Sequence, residues 1–163
     1  MNKEMLTNLL AYNIWANERI TKAVLQAGNT AADMEQKSSF SSVRKTLEHI
    51  YNSGKVWQTR LKNGLYSGHP EGGFPEKLTD LCKLLMDDGV AFRDLIQSMP
   101  QEVLQQKITY KNTKGIEFSN SIQDIVVHFV NHGSYHRGQL VTMLRNAGHT
   151  SFEQMDYIAY VRK

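Results

Sequence analysis

The segment HFVNHGSYHRGQL, residues 128–140, places histidines at positions 128, 132 and 136, each four residues after the last. Residues four apart lie one above the other on a helix, so the segment predicts imidazoles along one helical face. It belongs to an apolar pattern at three- and four-residue steps, formed by Ile122, Ile125, Phe129, His132, His136 and Met143. The pattern predicts a long amphipathic helix with two histidines on its core-facing side.

Three further helices are predicted from apolar spacing and end signals. The first runs from about residue 2 to 27 and ends near Gly28-Asn29. The second follows serines 38, 39, 41 and 42, which are candidate N-caps, and carries an apolar stripe from Val43 to Leu61. The third runs from about Leu78 to Ser98, before Pro100. Asn120 or Ser121 is expected to cap the fourth, which reaches Asn146.

The connecting segments are short or turn-like. NGLYSGHPEGGFP, residues 63–75, predicts a loop because glycine and proline recur in it. KITYKNTKGIEF, residues 107–118, alternates like a small hairpin with NTKG as its turn. DYIAYVRK at the end predicts a short fifth helix or an extended segment. We therefore expect one all-α domain over residues 1–163, an up-and-down four-helix bundle with a hairpin before the fourth helix and a short extra C-terminal element.

The composition is that of an ordinary globular protein and argues against several functional classes. Hydrophobic residues make up 40% and charged residues 21% of 163, with a net charge of +3 and no basic run. This gives no electrostatic case for binding nucleic acid, and no window has the roughly 18 apolar residues of a membrane span. Cys82 is the only cysteine, so no intramolecular disulfide can form and a cytoplasmic location is expected.

The spacing on the fourth helix favours His132 and His136 as a metal-binding pair. His128 is rotated about 40° to the flank of His132 on a helix of 3.6 residues per turn. Two imidazoles at i and i+4 can bind one zinc ion, although they can equally form hydrogen bonds inside a bundle. HGSYH contains no carboxylate, whereas a zinc protease helix reads H-E-x-x-H, so the protease interpretation fails.

A third ligand is needed, and periodicity leaves the choice open. His69 lies in the glycine-rich loop and His149 follows a helix end, where side chains usually face solvent. His49 lies within the second helix, away from the centre of its apolar stripe. Spacing alone gives His49 only a slight preference over the other two.

Other polar residues near the motif have two interpretations each. Arg137 either steers an anionic substrate or is a solvated or helix-pairing residue, and Gln139 is a candidate support for a ligand. Asn13 and Asn17 either line a cavity or form hydrogen bonds between helices. Three remaining residues are expected in the interior: Trp15, Trp57 and Cys82.

Three segments together resemble a known family. YNIWANERI (12–20), HIYNSGKVW (49–57) and NHGSYHRGQL (131–140) are similar to the first-, second- and fourth-helix motifs of the DinB/YfiT-like metalloenzymes. The resemblance implies a four-helix bundle with a short extra element, often a homodimer. It implies metal ligands at His49, His132 and His136. His128 matches no ligand position, so it is expected to support a ligand or to pack.

The resemblance also implies a class of activity. Characterised relatives include transferases and isomerases that use mycothiol, bacillithiol or glutathione. We therefore expect a divalent metal ion, with zinc favoured and nickel next, a low-molecular-weight thiol cosubstrate and a small electrophilic substrate. The alternatives are a metal-dependent hydrolase and a non-catalytic, metal-stabilised dimer that acts in a stress response.

Overall fold

Four long helices carry most of the chain in the computed structural model, which describes residues 1–62, 69–112 and 114–162. They are α1 (Lys3–Asp33), α2 (Val43–Leu61), α3 (Leu78–Ser98) and α4 (Ile122–Asn146). Between α3 and α4 lie a 3₁₀ turn and an antiparallel hairpin, and a short helix follows near the C-terminus: Gln101–Gln105, β1 (Lys107–Lys111), β2 (Glu117–Ser121) and α5 (Tyr157–Val161). The predicted all-α bundle with its hairpin and terminal element is confirmed. Part of the predicted loop (63–68), Thr113 of the NTKG turn and Lys163 lie outside the described residues.

The helix starts follow from side-chain caps. The side-chain oxygens of Asn2 and Ser42 accept hydrogen bonds from the backbone N–H groups of Met5 and Lys45, at 2.8 and 3.2 Å. Of the two candidates before α4, the structure selects Ser121, whose Oγ accepts from the Asp124 N–H at 3.2 Å. Each cap satisfies a donor that the first helical turn leaves without a partner.

The predicted end of α1 is only partly right. The helix is interrupted at Gly28, where φ is +80°, a conformation that costs glycine little because it has no Cβ. It then resumes to Asp33, beyond the predicted end. Ala31 and Ala32 of this extra turn are buried, and Ala32 belongs to the core. Burial of these residues therefore continues the helix past a local stop signal.

The directions of the helices differ from the predicted up-and-down arrangement, although the four-helix bundle itself is as predicted. α1 and α2 both pack chiefly against α3 and α4 and lie diagonally opposite each other. One core cluster joins the C-terminal halves of α1 and α4 to the N-terminal halves of α2 and α3, and a second cluster joins the other halves. Thus α1 and α4 run one way, while α2 and α3 run the other. The segment 62–77 permits this because it can reach about 50 Å, more than the roughly 28 Å length of α2.

The C-terminal segment covers α1 with aromatic rings. Tyr12, Trp15, Tyr157 and Tyr160 have neighbouring ring centroids 5.1–6.2 Å apart. The Tyr12 hydroxyl donates to the carbonyl of Met155 at 3.0 Å. These contacts explain why a short α5 forms at all, since a five-residue helix has little stability of its own. Within the described ranges, no helix is long and apolar enough to cross a membrane.

Candidate metal centre

The three histidines predicted as ligands meet between α2 and α4. Nε2 of His132 lies 3.2 Å from Nε2 of His49 and 3.1 Å from Nε2 of His136. The candidate ligand atoms of the three rings all lie within 4.8 Å of one another. Around a tetrahedral zinc with bonds of 2.0–2.1 Å, ligand nitrogens are about 3.3 Å apart. The observed separations are close to this value.

Helix geometry explains the meeting. His132 and His136 are one turn apart on α4 and face α2, and their ring centroids are 4.3 Å apart. His49 lies on the flank of the α2 stripe, and this flank faces α4 because α2 and α4 are neighbours in the bundle. His136 is only 4% exposed, while the other two rings are half-buried.

Burial keeps the three rings neutral. Desolvation, reinforced by neighbouring imidazoles, lowers the pKa of His49 and of His132 from 6.5 to about 4. Desolvation also lowers the pKa of His136, against the opposing effect of its hydrogen bond with Gln139. Neutral imidazoles are the form that binds metals. At neutral pH the three rings therefore carry no positive charge that would repel a cation.

Gln139 orients one of the rings, as the sequence suggested. Its Oε1 accepts a hydrogen bond from His136 Nδ1 at 2.8 Å, and its Nε2 donates to Ser39 Oγ at 2.9 Å. With the proton on Nδ1, the Nε2 lone pair of His136 points toward the other two rings. Such a contact fixes the tautomer and orientation of a metal ligand. His132 Nδ1 is buried and, within the described residues, has no hydrogen-bond partner.

These observations test whether a cation fits the three residues. Neutral rings whose Nε2 atoms approach within 3.2 Å would repel each other unless a proton or a cation lies between them. A single proton satisfies one pair of nitrogens, whereas a metal ion satisfies three. All three donors are imidazole nitrogens, which suit zinc, nickel, copper and iron. The residues present therefore fit a divalent transition metal.

The segment between α1 and α2 closes one side of the cluster. Phe40 stacks on His49 with ring centroids 4.2 Å apart and an interplanar angle of 27°, and its centroid is 5.8 Å from that of His136. Ser39 holds the segment to α4 through Gln139. The sequence analysis did not identify Phe40 as a site residue. Its only signal was its place among the serines that precede the α2 cap.

A solvent-accessible space adjoins the cluster at His132. A cavity of about 480 Å³ is lined by His128, Asn131, His132 and Tyr135. Tyr135 is 63% exposed although its ring centroid is 5.1 Å from that of His136. One ligand, His132, therefore lies at the wall of a solvent-accessible space large enough for a small molecule.

Arg137 faces away from the cluster and joins α4 to α1. It is 2% exposed, and its Nη1 donates to Asn13 Oδ1 at 2.6 Å and to Asn17 Oδ1 at 2.8 Å. Its Nη2 donates to Ser134 Oγ at 2.9 Å. The helix-pairing interpretations of Arg137 and of both asparagines are thus confirmed. Arg137 neither steers an anionic substrate nor is solvated, because its guanidinium is enclosed between the two helices.

The remaining histidines lie outside the cluster. His69 is exposed, and His149 follows α4 with its ring against Phe152 at 5.2 Å. His128 is exposed, with its ring edge against Trp57 at 5.4 Å and its centroid 5.7 Å from that of His132. It packs beside the site, as one interpretation of the sequence predicted.

The interior residues behave as expected, with one difference. Cys82 is buried, and burial raises the pKa of its thiol to about 11, so it is unreactive. Trp15 is buried in the core. Trp57, also predicted in the interior, is only half-buried and lines a surface cavity, because the hairpin covers just part of its ring.

A model of the DinB family matches residues 1–163. The chain belongs to the DinB family. It is similar to the protein named Protein DinB of Bacillus subtilis (strain 168), with 27% identity over 163 residues that cover 94% of this chain and 91% of that protein. Its fold is similar to that of the DinB-like protein YjoA of Bacillus subtilis, whose crystal structure has a resolution of 2.30 Å. That similarity has a TM-score of 0.67 at 17% identity and covers 91% of this chain and 97% of the other.

Proposed function

We propose that this DinB-family protein is a metal-dependent enzyme whose divalent ion is bound by His49, His132 and His136. The observation that carries the proposal is the convergence of three neutral ring nitrogens beside a cavity of about 480 Å³. Catalytic zinc sites use three protein ligands and leave a position for substrate or water. A purely structural site would instead have a fourth protein ligand, and the described residues of the cluster supply three.

The residues around the ion have separate roles in this proposal. Gln139 holds the His136 ring in the tautomer that leaves Nε2 free, and Phe40 keeps water from the His49 side. Tyr135 and Asn131 border the space that a substrate would occupy. When bound, the ion supplies Lewis acidity, which lowers the pKa of a thiol or a water molecule.

We propose, on the family resemblance, that the reaction is transfer of a low-molecular-weight thiol to a small electrophile. The thiol sulfur forms a bond to an electrophilic carbon, the thiol proton passes to solvent, and the leaving group departs with its electron pair. Zinc is the first candidate ion and nickel the second. A thiolate is a strong nucleophile by itself, so the reaction does not need a general base.

A metal-dependent hydrolase is the second candidate, because the space beside His132 can admit water as well as a thiol. Hydrolysis at a zinc site commonly uses a nearby carboxylate as general base. None of the described residues that line the cavity beside His132 is a carboxylate. This difference favours the transferase over the hydrolase.

The experiment begins with elemental analysis of freshly purified protein that carries no histidine tag. The protein is then loaded with zinc or nickel, and conjugation of monobromobimane is followed with bacillithiol, mycothiol and glutathione in turn. We expect turnover with at least one thiol, lost in His136→Ala and kept in His149→Ala, a matched histidine outside the cluster. Turnover no faster than that of His136→Ala with every thiol and both ions would refute the transferase.

The expected homodimer and cytoplasmic location stay predictions of the sequence. Light scattering coupled to size-exclusion chromatography measures the mass in solution, with and without zinc. A mass near twice 18.6 kDa would support the dimer.

A further inference from the structure

The exposed side of α4 carries a second cavity next to the one at the metal centre. It measures about 320 Å³ and is lined by Trp57, Tyr110, Asn120, Asp124, Ile125 and His128. His128 also lines the cavity beside His132, so the two cavities share one wall. The hairpin reaches this second cavity through Tyr110 of β1.

The two cavities lie end to end along α4. Asp124, His128, His132 and Tyr135 follow each other at steps of four, four and three residues, so they form one row on the helix. At 1.5 Å per residue this row spans about 16 Å, with His132 about 12 Å from Asp124. A molecule of that length could contact the metal centre and the hairpin together.

The far end of the row is aromatic. The ring centroids of Trp57 and Tyr110 are 5.1 Å apart at an angle of 82°, and His128 lies edge-on to Trp57 at 5.4 Å. The Tyr110 hydroxyl donates to Asn120 Oδ1 at 2.7 Å, which holds the tyrosine ring in place. Fixed aromatic rings at a groove wall favour flat, apolar ligand groups.

The lining of the two cavities has one charged side chain among the described residues, and it is acidic. Asp124 is the only carboxylate among the described residues that line the two cavities, and no lysine or arginine is among them. The nearby Arg60 lies over Trp57 and Tyr110, with its guanidinium carbon 4.7 and 4.5 Å from their centroids. It donates to the carbonyl of Lys111 and is not part of the lining.

We infer that the two cavities form one substrate groove, in which the electrophile reacts at the metal centre and its flat aromatic tail, without negative charge, lies against Trp57 and Tyr110. This inference rests on the proposed function, because it assigns the reacting end of the molecule to the histidine cluster. It also gives the hairpin a role: β1 supplies one wall of the groove. His128 lies between the two ends of the groove, because it lines both cavities.

The test uses imidazole as a metal-binding head with three different tails. The probes are 1-benzylimidazoles that carry a para methyl, aminomethyl or carboxylate group, and unsubstituted imidazole serves as the head alone. Each is titrated calorimetrically into zinc-loaded and zinc-free protein. We expect the methyl and aminomethyl probes to bind at least fivefold more tightly than the carboxylate probe, with the same order in the zinc-free protein.

Three variants separate the groove from the metal centre. Trp57→Leu should weaken the methyl probe at least fivefold and leave imidazole binding unchanged. Asp124→Asn, which keeps a polar side chain at the helix start, should at least halve the discrimination against the carboxylate probe. Thr142 lines a different cavity, which also includes Tyr135. Thr142→Ala should therefore change neither the affinity for the methyl probe nor the discrimination against the carboxylate probe.

The outcomes distinguish the groove from the proposed function. Equal affinities for the three substituted probes would show that the two cavities do not form one groove. Weaker binding of the methyl probe to Thr142→Ala, with unchanged binding to Trp57→Leu, would show the same. Failure of imidazole to bind zinc-loaded protein would overturn the free coordination position that the proposed function requires. The tail preference measured without zinc would still decide whether the groove exists.

Discussion

Two glycines on α4 allow a sharp test of how α4 is held against α1. A Cβ at Gly133 would lie 2.7 Å from Asn13 Oδ1 and 3.0 Å from Arg137 Nη1. A Cβ at Gly138 would meet no atom within 4 Å. Asn13 and Arg137 are 1% and 2% exposed, so neither can move aside into solvent. Alanine should therefore be tolerated at Gly138 and not at Gly133.

The magnitude follows from two opposing effects. Alanine in a helix interior is favoured over glycine by about 1 kcal/mol, which is the stabilisation expected for Gly138→Ala. At Gly133 the added carbon displaces the hydrogen bond between Arg137 and Asn13, and a bond to a charged group contributes about 1.5–3 kcal/mol. The net destabilisation of Gly133→Ala is then about 0.5–2 kcal/mol. The two variants should differ by about 1.5–3 kcal/mol, which is the whole contribution of the lost bond.

Guanidinium unfolding followed by far-UV circular dichroism, with EDTA present, measures both variants without a contribution from metal. As a further control, Gly133→Ala should lower the free energy of unfolding by less in an Asn13→Ala background, because that change removes the atom that the new carbon contacts. Gly133→Ala with a stability equal to that of Gly138→Ala would show that the close approach of α1 and α4 does not constrain this position. The geometric reasoning would then be wrong.

Three further predictions concern the metal centre and the core. Gln139→Leu removes the acceptor that orients His136, so zinc affinity measured by competition with a chelator should fall about 10–100-fold, and Gln139→Glu should recover part of it. The second prediction concerns pH. The pKa values of His49 and His132 are about 4 in the folded protein and 6.5 in the unfolded chain, so the unfolded chain binds more protons between pH 4 and 6.5. The free energy of unfolding should therefore decrease as pH falls from 6.5 to 4, and a flat profile in urea titrations would contradict this. The buried carboxylate of Asp88 pairs with Lys55 Nζ at 3.1 Å and accepts a hydrogen bond from Gln58 Nε2 at 2.7 Å. Asp88→Asn loses the ion pair but keeps an acceptor for Gln58, so in thermal unfolding it should destabilise the protein less than Asp88→Ala, which also leaves a buried gap.

Local sequence patterns predicted the helices well because their causes are local. The starts of α2 and α3 and the end of α4 agree with the spacing of apolar residues and with the end signals. The main difference is the last turn of α1, where the buried Ala32 continues the helix past Gly28. Burial by other helices is a tertiary effect, and it outweighed a local stop signal there.

The sequence by itself determined that His132 and His136 share a face, because a helix repeats every 3.6 residues whatever surrounds it. Only the tertiary structure decided that His49 completes the cluster, since the sequence of α2 does not specify which helix packs beside its flank. The same holds for Phe40 over the site and for Arg137 between α4 and α1. A helical repeat specifies directions around one axis, whereas the identity of the neighbour in each direction depends on how all the helices pack at once.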